Sequence, residues 1–362
     1  MDNSFTLILS NLRRSRLLGT ALFGLAIFHL AMQLIVVMPR NLAVTNPEEN
    51  IAVYYKAAVN AHNRRPIYRK QPNYGPDHEI EAVYLYAPPF AAIISPFAAL
   101  SFVRFVQLWY CVMFAASWVF AWCLARLYFD DRIDIRKVLI WGLILDLFPG
   151  GYAAFSIGQI EPLLWALFGL GVVAIARPTL WALCTFVKPF YMWPLFAEIA
   201  DAARENGIKV LLRSFFPAII IAAALILCGG IICGWNSYVV WVRDVLPTLS
   251  QGNFNSSNVS FSMAALRAAR FIGWQYSGGP LPTLPHLWLT AASIGAPLLT
   301  WFLLRRYSIQ LKSAALVIVA ILFAPVCWTY YLPLALPLIA LVFREKQAKS
   351  TFNVPTQYQL GE

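Results

Sequence analysis

The sequence is poor in charge: Asp, Glu, Lys and Arg make up 12% of its 362 residues, where a soluble domain carries about 25%. With 60% hydrophobic residues and a mean hydropathy of +0.63, no water-soluble fold could hide so much apolar surface. The bilayer must be the solvent for most of the chain. Histidine is scarce as well, and His29, His62, His78 and His286 show no ligand spacing, so no metal is expected. The six cysteines (Cys111, Cys123, Cys184, Cys228, Cys233, Cys327) lie in or beside apolar stretches with no Cys-x-x-Cys pair. They read as small buried hydrophobes and leave the compartment open. There is no Gly-rich phosphate loop, so no cofactor is expected, and no internal repeat.

What the chain does have is basic charge and aromatic rings. Lys and Arg number 28 against 17 Asp and Glu, a formal charge of +11. Nucleic acid would suit a soluble basic domain, and the chain has none, so no nucleic-acid partner is expected. The excess reads as positive-inside anchoring and attraction to anionic membrane lipids; binding of a substrate phosphate is the sharper addition. Aromatic residues at 15% fit interfacial belts and a stacked binding cavity.

Arg13, Arg14 and Arg16 precede an apolar run, Leu17–Met38, that is too long for a signal core and lacks a clear cleavage site. It reads as a retained first span with a cytoplasmic N-terminus. Further candidate spans are Pro88–Val103, Phe105–Phe129, Val138–Phe155, Ile160–Ala176, Leu180–Ile199, Phe215–Trp235, His286–Leu304, Ser313–Val326 and Tyr331–Phe343. That is about ten, each near the ~20 residues a span needs or somewhat short of it. An even number returns the C-terminus to the cytoplasm, and Arg344, Lys346 and Lys349 agree. Pro88-Pro89, Pro149-Gly150-Gly151 and Lys188-Pro189 break three of the runs. Irregular backbone at membrane depth is tolerated only where protein or a wet cavity covers it, so the breaks point to a cavity. Whether the Gln159 and Lys188 segments cross or dip and return is left open by the sequence. Loops 40–87 and 236–285 fall outside; 201–213 and 305–312 fall inside. Strict alternation puts Arg132, Arg136 and Lys137 outside, against the positive-inside rule; a dipping segment before them, balanced by another later, would repair this. The expected fold is all-α, a polytopic membrane protein of about ten transmembrane helices, some short or broken, around a cavity. Residues 1–344 form one domain and 345–362 a disordered cytoplasmic tail, in a multi-pass plasma (inner) membrane protein.

Connecting loops are usually short and plain, but loop 40–87 is neither. It holds Glu48-Glu49-Asn50-Ile51-Ala52-Val53-Tyr54-Tyr55, Arg64-Arg65-Pro66-Ile67-Tyr68 and Asp77-His78-Glu79-Ile80-Glu81, and ends in Tyr84-Leu85-Tyr86-Ala87 before Pro88. Acids, bases and aromatics beside a lipid phase suit an enzyme acting on a lipid-linked, charged substrate.

Val53-Tyr54-Tyr55 with Ala57-Ala58, Pro66-Ile67-Tyr68, and Tyr84-x-Tyr86-x-Pro88-Pro89-Phe90 resemble the first outer loop of glycosyltransferase family 87. Similar elements follow at Gly158-Gln159, Lys188-Pro189, Val245-Leu246-Pro247-x-Leu249, Asn258-x-Ser260 with Arg267, and Trp328-Thr329-Tyr330-Tyr331. The resemblance extends from Leu17 to Phe343. It implies a GT-C-like membrane fold and transfer of a hexose, mannose in the best-known members, from a polyprenyl-phosphate sugar donor to a lipid or glycan acceptor of the cell envelope. Two positions depart from the family pattern. The Asp that usually precedes Val-Tyr-Tyr by three residues is Asn50 here, and the His common in the last outer loop is Tyr330.

The chemistry needs one base to deprotonate an acceptor hydroxyl and cations to steady the departing phosphate. An amide accepts no proton in the physiological range, so Asn50 needs a substitute. Glu49 adjoins it, and Asp77 and Glu79 share the loop; the plainer reading of each is a solvated loop acid. Lys188 lies in an apolar run, where a charge costs about 2.5–3.5 kcal/mol on insertion scales. It reads either as a phosphate contact or as the buried partner of Glu161 or Asp146. Gln159 is suited to a sugar hydroxyl, or to backbone freed at Gly158. By the resemblance, Tyr54, Tyr55, Tyr86, Arg267, Trp328 and Tyr330 join Gln159 and Lys188 in binding substrate. Two rival readings stand beside the enzyme: a lapsed family member that binds or scaffolds, suggested by Asn50 and Tyr330, and a transporter of lipid-linked substrate.

Overall fold

The computed structural model describes residues 16–44, 50–68, 84–129, 133–173, 177–252, 254, 258–274 and 281–352, without the side chains of 16–18, 50, 205–214 and 347–352. The described chain is helical, with no strand beyond one isolated antiparallel bridge between Asn258 and Trp328. Helix α1 (Arg16–Met32) continues through a π turn to Leu42, α2 (Asn50–His62) lies in the first long loop, and α3 (Pro88–Ile94) is followed by a 3-10 turn to Ala99. Next come α4 (Phe102–Phe129), α5 (Ile135–Leu147), the short α6 (Gly151–Ser156), α7 (Glu161–Val172) and α8 (Arg177–Val187). After a 3-10 turn at Pro189–Tyr191 runs α9 (Met192–Cys233). The second long loop is itself folded into α10 (Asn236–Val240), α11 (Leu246–Ser250) and α12 (Phe261–Phe271). Helices α13 (Thr283–Leu303), α14 (Ile309–Phe323) and α15 (Leu336–Phe352) complete the chain. Helix α15 runs into the segment expected to be a disordered tail.

Four helices are long and apolar enough to cross a bilayer: Gly19–Leu42, Phe102–Phe129, Phe215–Cys233 and Thr283–Leu303. That is fewer than the ten expected. Pro88–Ala99, Glu161–Val172 and Ile309–Phe323 are apolar but shorter. Their shortness follows from the breaks: prolines lacking an N–H, and Gly158 in the left-handed region, bound helices that apolar composition alone would prolong. Large apolar side chains lie exposed along the helices, Ile35 at 73%, Ile231 at 70% and Phe216 at 61%. A soluble protein would not display them so continuously, and they are what a lipid-facing surface requires.

The expected span at Pro88–Val103 is shorter than a crossing needs. Helix α3 and its 3-10 turn, seven and five residues long, rise only about 20 Å, short of the ~30 Å hydrocarbon core. Both ends return to the same place on α2. Before the segment, the Tyr86 hydroxyl meets that of Tyr54 at 2.8 Å; after it, the Leu100 carbonyl accepts from the Tyr55 hydroxyl at 2.9 Å. Tethered at both ends to α2, the segment fits a dip that comes back better than a crossing. Helix directions agree independently. Arg136 lies over Phe23, while Asp146, ten residues on, binds His29 at 2.9 Å and also Gln33. Helices α1 and α5 are thus parallel. With one dip between them, α5 starts on the side where α1 starts, and Arg136 and Lys137 join the N-terminus as the positive-inside rule requires.

Helix α9 must bend back on itself. A straight helix of its 42 residues would be about 63 Å long. Yet Lys188, just before it, lies 5.4 Å from the Tyr86 ring centroid, and Cys233, at its end, donates to the Pro88 carbonyl. Gly207 and Pro217 lie between, residues that permit sharp kinks. The far end of the bend carries Asp201, which pairs with Lys312 at the start of α14. Segments 201–213 and 305–312, expected on one side of the membrane, are thereby joined.

Cysteine labelling tests the dip. Asn63→Cys and Ser101→Cys, both at exposed positions, should react with an impermeant maleimide from the same side, and Ile135→Cys only from the other. Labelling of positions 63 and 101 from opposite sides would make Pro88–Ala99 a crossing.

Candidate functional site

The helix breaks converge. Gly150, with φ of 84°, lies so close to the segment before α15 that a Cβ would sit 2.0 Å from the Thr329 carbonyl oxygen; only glycine lets the two segments meet. Gly158, with φ of 68°, turns the chain between α6 and α7, and a Cβ there would press on Ile51 at 3.1 Å. The Trp109 indole donates to the Gly158 carbonyl at 2.9 Å and fixes this turn. At Lys188 the backbone is extended, and Pro189 ends α8 and opens the next turn. Each break puts a polar side chain at the same point.

Lys188 is at that point, 8% exposed. Its ammonium donates to the Tyr331 hydroxyl at 2.7 Å, lies 4.2 Å from the Tyr331 ring centroid and faces the Tyr86 ring. Glu161 Oε1 is 2.5 Å from Lys188 Nζ but out of line for a hydrogen bond, and Glu161 Oε2 meets no donor among the described residues. Of the two carboxylates that could have paired with Lys188, Glu161 does so. Asp146 is taken by His29 and Gln33.

A second chain of contacts runs through Tyr54. Its hydroxyl donates to Gln159 Oε1 at 3.0 Å and shares a hydrogen bond with Tyr86, and its ring stacks on Trp109 at 4.6 Å. Burial, with the Glu161 charge second, holds the Tyr54 phenol well above its ordinary range, so it acts here as a neutral donor. Tyr330 packs edge-on against Tyr331 at 5.0 Å and stacks with Trp328 at 6.4 Å. Arg267 donates to the Asn258 carbonyl at 2.6 Å, and Asn258 bridges to Trp328 and receives the Cys327 N–H. Tyr54, Lys188, Glu161 and Tyr331 are buried; Tyr86, Gln159, Trp328 and Tyr330 around them are half-buried.

The structure thus gathers Tyr54, Tyr86, Gln159, Lys188 and Tyr330, with Trp328 behind Tyr330 and Arg267 one contact further back. Tyr55 is elsewhere: its ring packs on Phe102 and Phe105, one helical step of about 100° from Tyr54. Asn50 opens α2, but its side chain, like Glu49, Asp77 and Glu79, lies outside the described residues, as do Arg69 and Lys70. Arg64 and Arg65 are exposed. Sequence reasoning did not place Tyr331 or Trp109 here. Tyr331 had a signal, adjoining Tyr330; Trp109, amid a long apolar helix, had none. Chemically the cluster offers one cation, one sparsely met carboxylate and a set of neutral phenols.

Removing the Tyr54 hydroxyl should cost about 1–3 kcal/mol, since it leaves Gln159 and Tyr86 short of a partner. Tyr54→Phe should therefore lower the thermal midpoint in detergent by a few degrees; an unchanged midpoint would mean that this hydrogen-bond chain does not order the site.

Comparison with known families matches residues 84–329 to glycosyltransferase family 87. The matched stretch contains Tyr86, Gln159, Lys188, Arg267 and Trp328, and stops short of Asn50, Tyr54, Tyr55 and Tyr330. No curated protein and no solved structure matches the chain.

Proposed function

As the chain belongs to glycosyltransferase family 87, we propose that it transfers a hexose, mannose by the resemblance, from a polyprenyl-phosphate donor to a lipid or cell-envelope glycan acceptor at the outer face of the plasma (inner) membrane. Sugar transfer as the class of activity comes with the family, and a membrane location with the apolar helices. The choice of donor is supported above all by Lys188. An ammonium has three protons; one goes to Tyr331 and one faces Glu161, which leaves a third for a phosphate oxygen. Such a cation, preorganised in an apolar site, acts where charge grows on the leaving phosphate. Half-buried Tyr86, Gln159, Trp328 and Tyr330 offer ring faces and hydrogen-bonding groups to the sugar, and Arg267 supports them through Asn258. Proton abstraction from the acceptor requires a carboxylate in or beside this cluster; the loop acids Glu49, Asp77 and Glu79 could supply it only by folding over Tyr54.

Asn50 favours one second reading, a lapsed member that binds or scaffolds, because an amide cannot take the proton. Membranes containing the protein should release polyprenyl phosphate from labelled polyprenyl-phosphate mannose. An inert wild type with turnover gained in Asn50→Asp would establish the lapsed reading instead.

The role of Lys188 separates from its ion pair in a double variant. Lys188→Met alone strands the Glu161 charge, at a cost of about 3–5 kcal/mol. Adding Glu161→Gln removes that charge, so the double variant should regain stability and still fail to bind polyprenyl phosphate, a readout that does not depend on proton transfer. If the double variant bound polyprenyl phosphate as tightly as Glu161→Gln alone, Lys188 would be structural only.

A further inference from the structure

We propose that Glu161 is the general base of the transfer, taking the acceptor's hydroxyl proton in place of the carboxylate missing at Asn50. This rests on the transfer reading above. Glu161 is 2% exposed, its Oε2 has no hydrogen-bond donor among the described residues, and its Oε1 touches Lys188 without hydrogen-bond alignment. An ionised carboxylate can accept at about four sites, and leaving them unmet when buried is costly. A purely structural counter-ion would be better served by its surroundings. Instead, a carboxylate oxygen with no donor among the described residues lies beside the Lys188 ammonium that meets Tyr331 and faces Tyr86.

The backbone explains why this position can replace Asn50. Glu161 opens α7, where the amide dipoles favour negative charge, directly after the turn at Gly158. Ile51, next to Asn50 at the start of α2, packs on that same turn. The start of α2 and the start of α7 therefore flank one turn, and a carboxylate lost from the first is present on the second.

The step balances. The acceptor oxygen bonds to the anomeric carbon as the bond from that carbon to the phosphate oxygen breaks, and that electron pair leaves with polyprenyl phosphate. The hydroxyl proton passes to Glu161 Oε2, giving a carboxylic acid that returns the proton to water after product release. The donor's phosphodiester gains one negative charge as the carboxylate loses one. The charge facing Lys188 is conserved while Lys188 shifts its partnership from Glu161 to phosphate, so the site needs no other cation as the reaction proceeds.

The test measures polyprenyl-phosphate release by the full chain in membranes. Glu161→Gln should lower kcat by about 10²–10⁴-fold without raising the donor KM, since Lys188 is left free for the phosphate. Glu161→Asp keeps the charge that Lys188 needs but withdraws the carboxylate, so it should fold and lose about 10²-fold in kcat; it decides the matter if Glu161→Gln fails to fold. Wild-type kcat in either variant overturns the assignment. So does loss of turnover in Glu49→Gln, Asp77→Asn or Glu79→Gln while Glu161→Gln stays active. An active wild type with an active Glu161→Gln removes the base assignment alone; an inert wild type removes the transfer reading and this inference together.

Discussion

An ammonium group buried in an apolar chain has to be met by negative charge and oriented dipoles, and the site is arranged so that Lys188 is met by both. Three separate interruptions of helical backbone serve that purpose. The break at Lys188-Pro189 turns the side chain into the cluster, the turn at Gly158 delivers Glu161 on the first turn of α7, and the close approach of Gly150 to Thr329 lets the segment before α15 set Tyr331 against the charge. Regular helices through these positions would bury the same residues without bringing them together. The breaks that shorten the helices and the polar cluster are therefore one feature, since irregular backbone at membrane depth persists only where protein covers it.

The same economy governs topology. One dipping segment, Pro88–Ala99, explains why α1 and α5 run parallel, why the basic start of α5 joins the N-terminal side, and how Tyr86 reaches Tyr54 and Lys188 at once. A full crossing at Pro88 would carry Tyr86 and Leu100 to opposite faces and take one of them away from α2.

Much of this was legible in the sequence. The apolar composition demanded a membrane fold, and Pro88-Pro89, Pro149-Gly150 and Lys188-Pro189 marked the breaks, because proline and glycine act on the local backbone whatever surrounds them. Glu161 could be named as a partner for Lys188 but not chosen over Asp146, since pairing depends on which helix faces which. The dip at Pro88 was hidden because hydropathy is the same whether a segment crosses or returns. Tyr54 and Tyr55 looked alike until helical geometry put one on Trp109 and the other on Phe102 and Phe105. Trp109 was invisible because an indole inside a long apolar helix carries no local mark of the carbonyl it will hold. The loop acids Glu49, Asp77 and Glu79 stood out by charge alone, which says nothing of where a loop places them.

The central claim is that the Lys188–Glu161 cluster is where the donor phosphate binds. Photolabelling with a polyprenyl phosphate bearing a diazirine next to its phosphate addresses it most directly, with the modified peptides read by mass spectrometry. The label should fall on peptides containing Tyr86, Lys188 or Tyr331, and excess unlabelled polyprenyl phosphate should suppress it. Competable labelling confined to other parts of the chain, with these three peptides unmodified, would contradict the account.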